Sequence, residues 1–217
     1  MEKAIMAGAM ALAAAGVCGG NDAQKAAYQV TVYLMNQQIA EPLLLARAEA
    51  LASSIFAGID IHLRWKIGDP PRRPKAGRPS CLEAEVLIAL VSDTPASFHP
   101  GAPAYSRPYG QSGVRVTVFY DRVLDPLRDN MSLGAAVLGH ILAHEITHVL
   151  QGIARHSEVG LMKARWSSAD RDQMKRGPLA FAPEDVKLIW WALDRRSCGT
   201  QLAVPPSSQL DSARRAR

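Results

Sequence analysis

The sequence predicts an α/β domain in which a sheet containing parallel strands packs on one buried helix and is closed by a C-terminal helix. Three observations carry that expectation: a strand–helix–strand order near the start, an apolar helical run around residue 140, and an amphipathic helical pattern around residue 190. A chain of 217 residues, 48% hydrophobic and 21% charged, is long enough to bury one sizeable core.

MEKAIMAGAMALAAAGVCGG, residues 1–20, sets Lys3 before an apolar run from Ala4 to Val17 that ends in small residues. That is the layout of a secretory signal peptide, and the run is too short to span a bilayer comfortably. The expectation is an exported chain, periplasmic or secreted. Cys18 offers a lipoprotein as the lesser alternative, with the bulk of Val17 set against it. Residues 21–205 then form the domain and residues 206–217, which include SARRAR, a frayed basic tail. Without the leader, Cys81 and Cys198 remain and allow one intramolecular disulfide, although nothing in the sequence brings them together.

YQVTVYLM, residues 28–35, alternates β-branched and aromatic side chains and reads as a strand. EPLLLARAEALASSIFAGI has Pro42 near its start, apolar residues at helical spacing and Gly58 near its end, the pattern of an amphipathic helix. IDIHLRW, residues 59–65, is a second strand, so the three make a βαβ unit with parallel strands. GDPPRRPKAGRPS can only be a loop. EAEVLIALVS gives a third strand and RVTVFYDRV a fourth. Between them TPASFHPGAPAYSRPYGQSG is a long loop rich in Gly, Pro, Ser and Tyr, and loops of that length in a compact domain are usually functional. Its position ahead of the histidine-bearing segment suggests a rim to a site. Ser132 is the candidate N-cap of LGAAVLGHILAHEITHVLQ, apolar nearly all round and so expected to be buried. A membrane-spanning reading of that helix would leave His140, His144, Glu145 and His148 in hydrocarbon, so no stable membrane span is expected. A last helix covers EDVKLIWWALDRR, with Ile189, Trp190 and Leu193 facing the core.

The chemistry concentrates in HEITHVLQGIARH, residues 144–156. His144 and His148, four apart on a helix, lie about 40° apart around the axis and about 6 Å along it, close enough to share one ion. Zinc suits them, because it takes neutral imidazole and tolerates one open coordination position. Glu145 can reach a water in that position and take its proton. The cost of burying imidazoles and a carboxylate in an apolar helix without a partner favours this reading over a plain core helix. His156 would sit about 12 Å further on if the helix continued, so the helix has to break, and Gly152 is placed to do so in the left-handed conformation. His156 could then complete the ligand set. A surface role for His156 beside Arg155 stays open, as do Glu184 and Asp170 as the third ligand. His140, one turn before His144, is either an orienting neighbour or a core histidine.

HEITHVLQGIARH followed by Met162 resembles the metzincin metallopeptidases, whose signature is HExxHxxGxxH and a Met-containing turn beneath the zinc. With the βαβ start, VFYDRV, LGHILAHEITHVL and Trp166, the chain is also similar to small exported archaemetzincin-like bacterial proteins, specifically over residues 139–166. It departs from the signature: Gly152 falls four residues after the second histidine instead of three, and His156 eight instead of six. The resemblance implies a zincin-like α/β (α+β) domain with a mixed twisted sheet packed on the HExxH helix. It also implies Zn2+ held by His144, His148 and His156, Glu145 as general base, and Met162 in the Met-turn. The expected substrate is a peptide or protein paired with a sheet edge, for which RVTVFY is the candidate strand.

The alternative from another class is a non-catalytic zinc-containing module that binds peptide or envelope material. Glu145 weighs against it, because a structural zinc site fills all four positions with protein and needs no such acid. The net charge of +5 comes from arginines scattered over loops and the tail, and no nucleic-acid reading motif accompanies them, so no nucleic-acid partner is expected. Oligomeric state and cleavage specificity are not legible.

Overall fold

The computed structural model describes residues 28–70, 83–109, 115–127 and 130–197. The leader, the tail, Cys81 and Cys198 lie outside the described residues, and with them the signal-peptide and disulfide expectations.

Five strands form one mixed sheet in the order β2-β1-β3-β5-β4. β1 (Tyr28–Met35) pairs in parallel with β2 (Ile61–Ile67) on one side and β3 (Glu83–Val91) on the other, and β3 pairs in parallel with β5 (Val116–Phe119). β4 (Ala104–Ser106) runs antiparallel to β5. The central strands share one fully buried apolar face: Val30, Val32, Val86, Ile88, Leu90, Val116 and Val118 occupy alternate, in-register positions along it, whereas Gln29, Thr31 and Glu85 lie on the other face.

The helix between β1 and β2, α1 (Pro42–Ala57), begins with Pro42 at a position where a missing N–H costs nothing. Glu41 caps it, its carboxylate accepting from the Leu43 and Leu44 amides at 3.0 and 2.6 Å. Asp60 takes a left-handed φ of 57°, so the chain turns there and β2 starts two residues later than the sequence pattern places it.

Two expectations are corrected around β5. The run VFYDRV leaves the sheet at Phe119: Tyr120–Leu124 is a short helix, α2. Asp121 and Arg122 account for this, because both side chains turn back onto the preceding loop. Asp121 accepts from the Thr94 amide and hydroxyl at 2.9 Å each, and Arg122 donates to the carbonyls of Pro95, Phe98, His99 and Ala102 at 2.7–3.2 Å. RVTVFY is also not an edge. Three residues of the long Pro/Gly loop, β4, add outside β5 and make the edge themselves.

The longest helix, α3 (Met131–Gln151), is capped by Asn130, whose side-chain oxygen accepts from the Leu133 amide at 3.0 Å, and not by Ser132. Its segment Ser132–Gln151 is long and apolar enough to cross a membrane, yet it is 83% buried inside the domain, as a core helix is. α3 crosses α1 at Gly139, where a Cβ would come within 2.9 Å of the Ala48 carbonyl oxygen. That contact holds the two helices close, and their side chains join those of the sheet in one continuous core with Leu34, Phe56, Leu142 and Ile146. α4 (Ser168–Arg176), not expected from the sequence, starts at a reciprocal cap between Ser167 and Asp170. α5 (Pro183–Ser197) closes the domain as expected. Trp190 meets Tyr28 edge-to-face at 5.2 Å, the Tyr28 hydroxyl donates to Asp194, and Arg196 donates to the Val149 carbonyl at 2.7 Å.

Candidate metal centre

His144 and His148 sit one turn apart on the buried part of α3, only 8% and 5% exposed. Each ring is fixed by a backbone carbonyl: Nδ1 of His144 donates to Leu161 O at 3.0 Å, and Nδ1 of His148 to Ile153 O at 3.1 Å. A carbonyl can only accept, so Nδ1 carries the hydrogen in both rings and Nε2 is left as a bare acceptor. The two Nε2 atoms face each other at 3.1 Å. Neutral acceptors that close repel one another unless a cation sits between them. Two nitrogens each about 2.0–2.1 Å from a tetrahedral ion would be about 3.3 Å apart, so the spacing fits.

Protonation does not relieve the repulsion, because the rings are too buried to charge. Burial first, and then the neighbouring His148 and His156, push His144 down to about 3, with the Leu161 carbonyl opposing. Burial and His156 take His148 down to about 4, against Ile153 and the carboxylate of Asp185. His156 is also lowered by burial. All three are therefore neutral at pH 7, the form that binds metal.

α3 ends where the sequence places the break. Gly152 adopts φ 69°, its amide donating to His148 O at 2.9 Å, and the chain doubles back. That return brings His156 beside the pair, with ring centroids 5.3 Å from His144 and 4.9 Å from His148. One ligand atom from each of the three histidines lies within 4.8 Å of the others.

Glu145 projects from α3 next to His144, half-buried. Burial pushes its carboxyl up to about 7, and a hydrogen bond from the Ser106 hydroxyl on β4 opposes that rise. The edge strand and the helix thus meet at this carboxylate.

A tight turn lies against the histidines. Ser157 donates its amide to Met162 O, and Leu161 its amide to Ala180 O, both at 2.8 Å. Gly160 at the turn is required twice over, since its φ is 73° and a Cβ would fall 2.3 Å from the Ala180 oxygen. Leu161 and Met162 are fully buried. The Leu161 carbonyl also accepts from Trp166 Nε1 at 3.1 Å, and the Trp166 ring stands edge-on to His144 at 5.7 Å. The turn therefore orients His144 directly.

The other candidates from the sequence are occupied elsewhere. Glu184 is paired with Arg155 at 2.8 Å, and Asp170 with Lys163 at 2.5 Å and with Ser167. Neither joins the histidine group. His140 is a core histidine with both nitrogens satisfied: Nδ1 donates to Ala136 O at 2.7 Å and Nε2 accepts from the Leu179 amide at 2.9 Å. Sequence reasoning missed Ser106, Ser157 and Asp185. Only Ser106 carried a signal, since it lies in the long loop expected to rim the site.

Fold and site together define a mixed α/β domain with a three-histidine group, on a helix and the loop after it, that could hold a metal ion. No family model matches the chain, and no curated protein matches it. Among solved structures it is similar to the archaemetzincin of Methanopyrus kandleri, with 16% identity and a TM-score of 0.48, over 79% of this chain and 98% of that one.

Proposed function

We propose that the protein is a zinc-dependent peptidase, with His144, His148 and His156 as metal ligands and Glu145 as general base. The observation that carries this reading is the convergence of three neutral imidazoles beside a carboxylate that belongs to none of them. A structural site has no use for that fourth group. Zinc held there would polarise a scissile carbonyl and acidify a water. Glu145 takes the proton from the attacking water and hands it to the leaving amine, and a carboxyl poised near neutrality is suited to both transfers. His144 and His148 keep their donors on backbone carbonyls throughout, which fixes the rings and leaves each Nε2 to the metal. An extended peptide would lie along β4, the sheet edge beside Glu145. The leader pattern supports export as the setting for such an enzyme.

The test is mass-spectrometric profiling of a mixed peptide library with the zinc-loaded chain and with Glu145→Gln. Cleavage by the parent, with the variant holding zinc but slowed at least about 100-fold, is the expected result. A parent that holds one zinc and cuts nothing would point instead to the non-catalytic peptide- or envelope-binding module.

A further inference from the structure

The rings of His144 and His148 are each held by a backbone carbonyl, but among the described residues no hydrogen bond holds the ring of His156. It also lies outside any helix or strand, four residues beyond the Gly152 break. Its place must come from the backbone on either side. Both neighbours in sequence are tied to one group. Asp185, in the first turn of α5 and wholly buried, accepts from Arg155 Nη1 at 2.8 Å and from the Ser157 hydroxyl at 2.7 and 2.8 Å. The second arm of Arg155 reaches Glu184 at the surface at 2.8 Å. The backbone carbonyl of Asp185 accepts from Gln151 Nε2 at 3.2 Å, which ties the same residue to the last turn of α3.

We propose that Asp185 is the positioning residue for the third ligand: its buried carboxylate clamps Arg155 and Ser157 and thereby holds His156 against His144 and His148. A fully buried carboxylate is costly even when paired, and apolar packing would serve to dock a helix. Here the charge is spent on the two residues that flank His156. The clamp works over the 28 residues separating Ser157 from Asp185, so α5 is part of the metal centre although it contributes no ligand. This inference rests on the metal-centre reading above.

The experiment is a double-mutant cycle on metal affinity. Cobalt(II) titration, followed by visible absorbance, and zinc competition against a chelator of known affinity would be run on the parent, Asp185→Ala, His156→Ala and the double variant. Asp185→Ala should weaken binding roughly 10–100-fold, the usual loss when the support of a ligand is removed. Because Asp185 acts through His156, the double variant should bind no more weakly than His156→Ala alone. Glu184→Gln removes only the surface arm and should stay within about twofold of the parent. Parent-like affinity in Asp185→Ala, or two losses that multiply in the double variant, would overturn the clamp, as would an equal loss in Glu184→Gln. If far-UV circular dichroism shows Asp185→Ala unfolded, Asp185→Asn and Ser157→Ala replace it in the same cycle. A parent that takes up no metal sinks the metal-centre reading and the clamp with it, whereas a metal-binding parent with an indifferent clamp sinks only the latter.

Discussion

The two halves of the candidate centre are built on different physics. His144, Glu145 and His148 belong to a buried helix, whose period alone puts two rings on one face. His156 belongs to an irregular return loop, placed by a left-handed glycine before it and a buried ion pair around it. A helix specifies its geometry locally, residue by residue. The loop borrows its geometry from α5, nearly thirty residues away. The difference teaches that the helix half takes its spacing from its own period and only the rotation of its rings from Leu161 and Ile153, whereas the loop half depends on distant residues for its backbone position as well.

Metal affinity gives the largest contrast. His148→Ala removes a ring whose partner Nε2 is already aligned at 3.1 Å and should abolish measurable zinc retention through gel filtration. His156→Ala should leave weak residual binding by the preformed helix pair. Equal retention by both variants would erase the distinction between the halves.

The two glycines of the loop half sharpen the comparison next. Gly160→Ala adds both left-handed strain and a 2.3 Å collision with the Ala180 oxygen, and should cost on the order of 3 kcal/mol in denaturant unfolding. Gly152→Ala meets nothing nearer than Arg196 at 3.8 Å, so strain alone remains, about 1 kcal/mol. Equal losses at the two positions would mean that the turn at 157–163 yields more easily than its hydrogen bonds imply.

The pH dependence of the metal-free protein is the smallest effect. His144 and His148 fall from 6.5 to about 3 and about 4 in the fold, so below 6.5 the unfolded chain binds more protons than the native one. Their contribution is complete above pH 6.5 and is lost as the pH drops toward 4 and then 3. Thermal unfolding of the metal-free chain should show its midpoint falling across that window. His144→Ala should flatten the slope more than His156→Ala, since the helix rings are the more deeply buried.

Legibility in the sequence follows the same division. β1, α1, β3, α3 and α5 were plain because period and punctuation are local, and so was the His144–Glu145–His148 face with its Gly152 break. β4 was not, because three residues between prolines become a strand only by pairing with β5. Tyr120–Leu124 reads as strand by propensity and folds as helix because Asp121 and Arg122 are claimed by the loop at 94–102. α4 lacks an apolar period, although its Ser167–Asp170 cap stood in the sequence. Asp185 was hidden most completely. An acid in the first turn of a helix has an ordinary explanation in the helix dipole, and nothing local says that it is buried or that Arg155 and Ser157 will reach it.

X-ray absorption at the zinc edge of the loaded protein tests most directly that the two halves form one metal centre. The account predicts three imidazole nitrogens and one oxygen at about 2.0–2.1 Å, with His156→Ala reducing the imidazole count to two. A sulfur ligand at about 2.3 Å, or two imidazoles in the parent itself, would contradict it.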